Sequence, residues 1–96
     1  MYGTIAHLQP KPGKEGEVIR AFEEWHRERR PKVAGAIGGQ LYRLDRGGMM
    51  ATAVFASRET YLANASDPAQ DQWYRGLREL LATDPEWHDG EIVTSA

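Results

Sequence analysis

The sequence predicts an α+β fold in which two helices cover one face of a four-stranded antiparallel sheet. The first observation is the order of periodic segments, which runs strand, helix, strand, strand, helix, strand. The second is the turn Arg46–Gly48 between two strand-like segments, because glycine supplies the positive φ that tight turns require. This order indicates the ferredoxin-like βαββαβ arrangement, as one domain over residues 1–96.

The first strand and helix are predicted from a change in hydrophobic period. Residues Thr4–Gln9 are strand-like, and Pro10 ends them. A helix is predicted from about Lys14 to Arg30, and Pro31 ends it because proline lacks the backbone N–H. One face of this helix has the spacing i, i+4, i+7 and i+11: Val18, Phe22, Trp25 and Arg29.

The second half of the chain contains a helix that is expected to stop and restart. Ser57 is the predicted cap of its first part. Pro68 disfavours helical geometry at Asp67, so Asp67 is the predicted N-cap and Pro68 the first residue of a second helix that stops near Thr83. That helix carries apolar residues at i, i+4 and i+7: Trp73, Leu77 and Leu80.

The remaining strands are predicted from apolar runs. They cover Gln40–Asp45, Met49–Ala56 and an edge strand Glu91–Ser95, and the segment Asp84–Gly90 is interpreted as a turn. Both alternating sets of the third strand contain apolar residues, although two helices can cover only one face of the sheet. We therefore expect a second copy of the chain to cover the open face, which is the sheet face turned away from the helices.

Composition excludes several classes of protein. The net charge is −2, which argues against nucleic acid as the main partner. The chain has no cysteine, so disulfides and Cys-ligated zinc are excluded. The three histidines, His7, His26 and His88, lack the spacing of common metal motifs, so no metal site is predicted. No apolar run approaches the ~18 residues of a membrane span, and we expect a cytoplasmic protein.

Three motifs resemble one family. "KPGKEGEVIRAF" is similar to the signature that follows the first strand of the dimeric α+β barrel proteins, which include the antibiotic biosynthesis monooxygenase-like family. "VAGAIGGQLYRL" and "AVFASRETYLANASDP" resemble the family's second strand and its third strand with the following helix. The resemblance implies a homodimer whose sheets close into a barrel, with a ligand cavity between sheet and helices in each subunit. It also implies cofactor-independent oxidation of a small aromatic or quinol-like substrate by molecular oxygen.

The sequence departs from the family pattern at two places. Family members commonly end the third strand with tryptophan, where this chain has Phe55. They also commonly carry a histidine on the next helix, where this chain has Ala69 and Gln70. The haem-degrading relatives need that histidine as a ligand, so no haem role is expected. The alternative is a non-catalytic homodimer that binds a small ligand or serves as a structural unit.

Oxygenation without a cofactor needs a base, a group that holds the resulting anion and an apolar pocket. His7 on the first strand is the predicted base, whereas His26 is interpreted as a helix-face residue and His88 as a turn residue. Tyr42 and Arg43 are the predicted anion holders; they are adjacent on a strand, so only one can face a cavity. The predicted pocket walls are Phe55, Tyr61 and Trp73.

Overall fold

The computed structural model describes residues 1–96 and contains four strands and three α-helices. The elements are β1 (Tyr2–Leu8), α1 (Glu15–Glu24), β2 (Ala36–Arg43), β3 (Met49–Phe55), α2 (Arg58–Ala65), α3 (Pro68–Glu79) and β4 (Glu86–Glu91). The strands form one antiparallel sheet in the order β2-β3-β1-β4, which confirms the predicted ferredoxin-like arrangement. No helix combines the length and the apolar character that crossing a bilayer requires.

The last strand differs from its prediction. β4 pairs with β1 from Glu86 opposite His7 to Glu91 opposite Tyr2, so the predicted turn is a strand and most of the predicted strand lies beyond it. The prediction followed the apolar run around Ile92, whereas the strand itself has the sequence EWHDGE. Every residue of β4 is exposed, which removes the apolar signal on which strand prediction depends. The predicted edge position is confirmed.

The predicted restart of the second helix is confirmed. Ser57 and Thr60 form a reciprocal capping box at the start of α2, with the Thr60 amide 3.2 Å from the Ser57 hydroxyl. The Asp67 carboxylate accepts a hydrogen bond from the Ala69 amide at 2.8 Å, and Pro68 is the first residue of α3. The helix ends at Glu79, four residues before the predicted end near Thr83.

Helix α1 continues into a wider turn. Residues Trp25–Arg29 are π-helical, because the amide of Arg30 donates to the carbonyl of Trp25, and a 3-10 turn over Arg30–Lys32 follows. Such π turns are rare and occur often at functional sites. Here the turn contains the buried Trp25 together with His26 and Arg29.

The hydrophobic core fills one end of the space between sheet and helices. Its seven buried residues are Ala6, Leu8, Val18, Met49, Ala51, Leu77 and Leu81. Because Ala6 and Leu8 face the helices, the alternate residues Ile5 and His7 face away from them. Ile5 is 47% exposed and Tyr42, on the same open face, is 49% exposed. The core is therefore one-sided, and the open face remains without cover in a single chain.

The cap at Asp67 yields a stability prediction. We expect Asp67→Ala to lower the free energy of unfolding by about 1 kcal/mol, because the Ala69 amide loses its acceptor. Asp67→Asn is the matched control and should retain most of the stability, since asparagine caps nearly as well. Urea unfolding followed by circular dichroism measures both. An equal loss in the two variants would contradict the capping role.

Candidate functional site

A cavity of about 450 Å³ lies between the sheet and the three helices, beside the hydrophobic core. Its floor consists of small residues on the sheet: Thr4, Ala6, Gly38, Ala51 and Ala53. Because these side chains are short, the helices above them cannot fill the space by packing. The volume falls within the range of about 300 to 1,000 Å³ that is typical of small-molecule pockets.

Trp73 is the central aromatic residue of the cavity wall. Its ring makes edge contacts with Phe22 at a centroid distance of 5.3 Å and with Trp25 at 6.4 Å. The indole N–H donates to the Ala21 carbonyl at 3.0 Å, which ties α3 to α1. These contacts hold the indole in one orientation, so the wall is formed before any ligand binds.

Tyr61 and Asp89 form a polar pair at another part of the cavity wall. The Tyr61 hydroxyl donates to the Asp89 carboxylate at 2.9 Å. The Tyr61 ring contacts Tyr2 at a centroid distance of 5.3 Å and Phe55 at 5.4 Å. Burial, followed by the hydrogen bond to Asp89, raises the pKa of Tyr61 to about 12. Tyr61 is therefore a neutral hydrogen-bond donor at physiological pH.

A second polar group lies where α2 and α3 meet the π turn. The Trp25 indole N–H donates to Gln70 Oε1 at 2.8 Å. Arg29 Nη2 donates to Asn64 Oδ1 at 3.1 Å and approaches Gln70 Oε1 at 3.5 Å. Trp25, Asn64 and Gln70 all line the cavity, whereas Arg29 lies behind them. The cavity thus combines apolar walls with two separate polar regions.

The structure brings only part of the predicted site together. Phe55, Tyr61 and Trp73 all line the cavity, and their contact with a substrate stays a prediction. His7 and Tyr42 do not line it, because both lie on the open face, where the Tyr42 hydroxyl donates to Gln40. A catalytic role for either residue would need a site on that face.

Arg43 lies on the helix side of the sheet but outside the cavity. Its guanidinium pairs with Glu15, and it lines a separate pocket of about 310 Å³. The three predicted catalytic residues are therefore distributed over two faces of the sheet. Tyr42 and Arg43 lie on opposite faces of the sheet, as adjacent strand residues do, and neither lines the cavity of about 450 Å³.

His26 is a candidate that sequence reasoning placed among the helix-face residues. It lines both the cavity and the smaller pocket, and its ring meets Trp25 edge-on at 5.9 Å. The available signal was its position four residues after Phe22, which puts both side chains on one helical face. Asp89 was missed because its strand was interpreted as a turn. No group of three or more His, Asp or Glu side chains is arranged to hold a metal ion.

The Tyr61–Asp89 pair predicts a pH dependence. Because the folded pKa of about 12 exceeds the ordinary value of 10.0, the folded chain binds this proton more tightly than the unfolded chain. The contribution of the Tyr61 proton to the free energy of unfolding should be complete below pH 10 and should be lost as the pH rises toward 12. Absorbance titration at high pH should contain a phenolate step near 12 that disappears in Tyr61→Phe. A Tyr61→Phe titration identical to that of the unmodified chain would contradict this assignment.

No protein-family model matches the sequence, and no curated protein matches it. Solved structures do match over nearly the whole chain. Rv0793 from Mycobacterium tuberculosis has a TM-score of 0.83 at 16% identity, covering 99% of this chain and 97% of that one. A Chloroflexus aurantiacus protein, provisionally named an antibiotic biosynthesis monooxygenase, has a TM-score of 0.80 at 22% identity, covering 99% of this chain and 95% of its own.

A third match is a variant of SnoaB, a cofactor-independent oxygenase from Streptomyces nogalater. It has a TM-score of 0.83 at 14% identity and covers 98% of this chain and 94% of that one. At such identities the likeness concerns the fold, which hosts more than one function. The resemblance read from the sequence is thus confirmed at the level of architecture: this chain has the fold of the antibiotic biosynthesis monooxygenase-like proteins.

Proposed function

We propose that the cavity binds a small aromatic molecule and that the protein oxidises a phenol or quinol there with molecular oxygen. The observation that carries this proposal is the cavity of about 450 Å³, with its preformed aromatic walls and two polar regions. The likeness in fold to SnoaB, a cofactor-independent oxygenase, supports the same reaction class. Apolar walls also suit dioxygen, which is itself apolar.

The reaction can balance without an added reductant. A base removes the phenolic proton, and the electron-rich phenolate transfers electrons to dioxygen. A quinol then becomes a hydroxyquinone: one oxygen atom joins the ring, and the other leaves as water. Of the titratable side chains that line the cavity, we assign the base to His26, because imidazole accepts and returns protons near neutral pH.

The assignment of His26 is tested by oxygen consumption with a panel of hydroquinones and anthrones. His26→Gln preserves much of the side-chain volume and should lower kcat by about 10²-fold to 10⁴-fold, the usual contribution of a general base. His7→Ala is measured in parallel, because His7 is the base predicted from the sequence. Loss of turnover in His7→Ala but not in His26→Gln would move the base to the open face.

A non-catalytic binding protein is the second candidate, and one observation favours it. Ala69 and Gln70 stand where the resembled family commonly has histidine, and the Gln70 side-chain oxygen accepts a hydrogen bond from Trp25. A glutamine amide cannot act as an acid or base near neutral pH. Binding of hydroquinones with no oxygen uptake by the unmodified protein would support this candidate over the enzyme.

We further propose that two copies associate through the open face. Ile5 and Tyr42 are about half exposed there, and Met50 lies between Tyr42 and His7 in the strand register. Exposed apolar residues that adjoin on one face are typical of an association surface. A second copy would cover them and would leave both cavities on the outer, helix-covered sides of the sheets.

The association is tested by light scattering at micromolar concentration. We expect a mass twice that of the 10.8 kDa chain. Ile5→Lys should shift the protein toward the monomer, because a lysine charge would be buried at the contact. The matched control is Leu62→Lys, which changes an apolar residue of similar exposure, 42%, on helix α2. A monomeric unmodified protein would contradict the proposal, as would equal dissociation in both variants.

A further inference from the structure

The hydrogen-bond partners at the π turn determine which way the side-chain amides of Asn64 and Gln70 point. Arginine and the tryptophan indole are hydrogen-bond donors only. The side-chain oxygens of Gln70 and Asn64 must therefore face Trp25 and Arg29, as the contacts of 2.8 Å and 3.1 Å require. Exchanging oxygen and nitrogen in either amide would bring two donors together. Each amide therefore has one orientation that its partners allow.

The amide nitrogens are left without acceptors. Neither Gln70 Nε2 nor Asn64 Nδ2 donates to any protein group, although both residues line the cavity. Neither nitrogen is among the fully enclosed polar atoms that lack a partner, so both remain accessible. The two side-chain amides are neighbours, since both oxygens contact the same Arg29 nitrogen, and each has an N–H donor group available.

Arg29 supplies an independent observation. Its Nε is the one buried side-chain polar atom without a hydrogen-bond partner. An unsatisfied buried donor is destabilising, so this arrangement is not the best one for stability alone. No carboxylate pairs with the guanidinium, and its hydrogen bonds go to the two amides. Its positive charge therefore lies behind the amides, where it strengthens them as donors toward the cavity.

We propose that Asn64 and Gln70 form an amide clamp for a carbonyl or phenolate oxygen of an aromatic ligand, with Arg29 as the positioning residue. The proposal rests on the proposed function, because it assumes that an aromatic molecule occupies the cavity. It adds how the ligand is held: the accepting oxygen of the ring is bound at the end of the cavity that meets α2 and α3. A pure hydrocarbon would leave the two donors unsatisfied and would bind more weakly.

The clamp is tested with two probes of similar shape, naphthalene and 1,4-naphthoquinone. Quenching of tryptophan fluorescence reports binding, since Trp25 and Trp73 line the cavity. We expect the unmodified protein to bind the quinone at least about 10-fold more tightly than the hydrocarbon, because one good hydrogen bond changes affinity by about this factor. Gln70→Leu should abolish most of this preference with little effect on naphthalene. Gln72→Leu, at an exposed position of the same helix outside the cavity, should retain it.

The positioning role is tested at Arg29. Arg29→Met keeps the apolar stem but removes the donors, and it should lower quinone affinity while naphthalene binding persists. Arg29→Lys should restore part of the preference, because one donor and the charge remain. Equal affinity of the two probes for the unmodified protein would overturn the clamp alone. Failure of both probes to bind would overturn the proposed function and the clamp together.

Discussion

The architecture of the cavity depends on the break between α2 and α3. Proline at position 68 cannot donate a backbone hydrogen bond, and the Asp67 carboxylate accepts from the Ala69 amide instead, so the chain changes direction here. Helix α2 then presents Tyr61 and Asn64, while α3 presents Gln70 and Trp73. A single continuous helix could not bring these four side chains to different parts of one cavity. The hydrogen bond from the Trp73 indole to the Ala21 carbonyl closes the cavity on the side of α1.

The cavity exists because the side chains over part of the sheet are too small to fill the space beneath the helices. Alanine, glycine and threonine form the floor, and larger side chains at those positions would have extended the core. The core of seven residues borders the cavity, and its members Ala6 and Ala51 also form part of the floor. The aromatic rings supply much of the remaining contact area, in edge-to-face geometries that suit their charge distribution. The same layer between sheet and helices thus contains both the packed core and an open binding volume.

Sequence reasoning predicted the order of the elements and both helix caps, since these depend on local spacing and local hydrogen bonds. It named three of the seven aromatic residues that line the cavity: Phe55, Tyr61 and Trp73. It did not identify the polar residues, because their roles depend on distant partners. Gln70 reads as an ordinary exposed amide until Trp25, 45 residues away, is seen to donate to it. His7 has the right chemistry for a base, but the face that it occupies is decided by strand register and by which face the helices cover. Strand register and helix coverage are properties of the whole sheet, so the residues next to His7 in the sequence do not reveal them.

The polar sequence of β4 has a further consequence. As an edge strand, β4 leaves one row of backbone N–H and C=O groups free to pair with any other strand that approaches. Three of its six residues, Glu86, Asp89 and Glu91, are acidic and all six are exposed. Two such edges would repel each other before their backbones could pair. The composition that concealed this strand from sequence analysis therefore also protects the sheet against edge-to-edge aggregation.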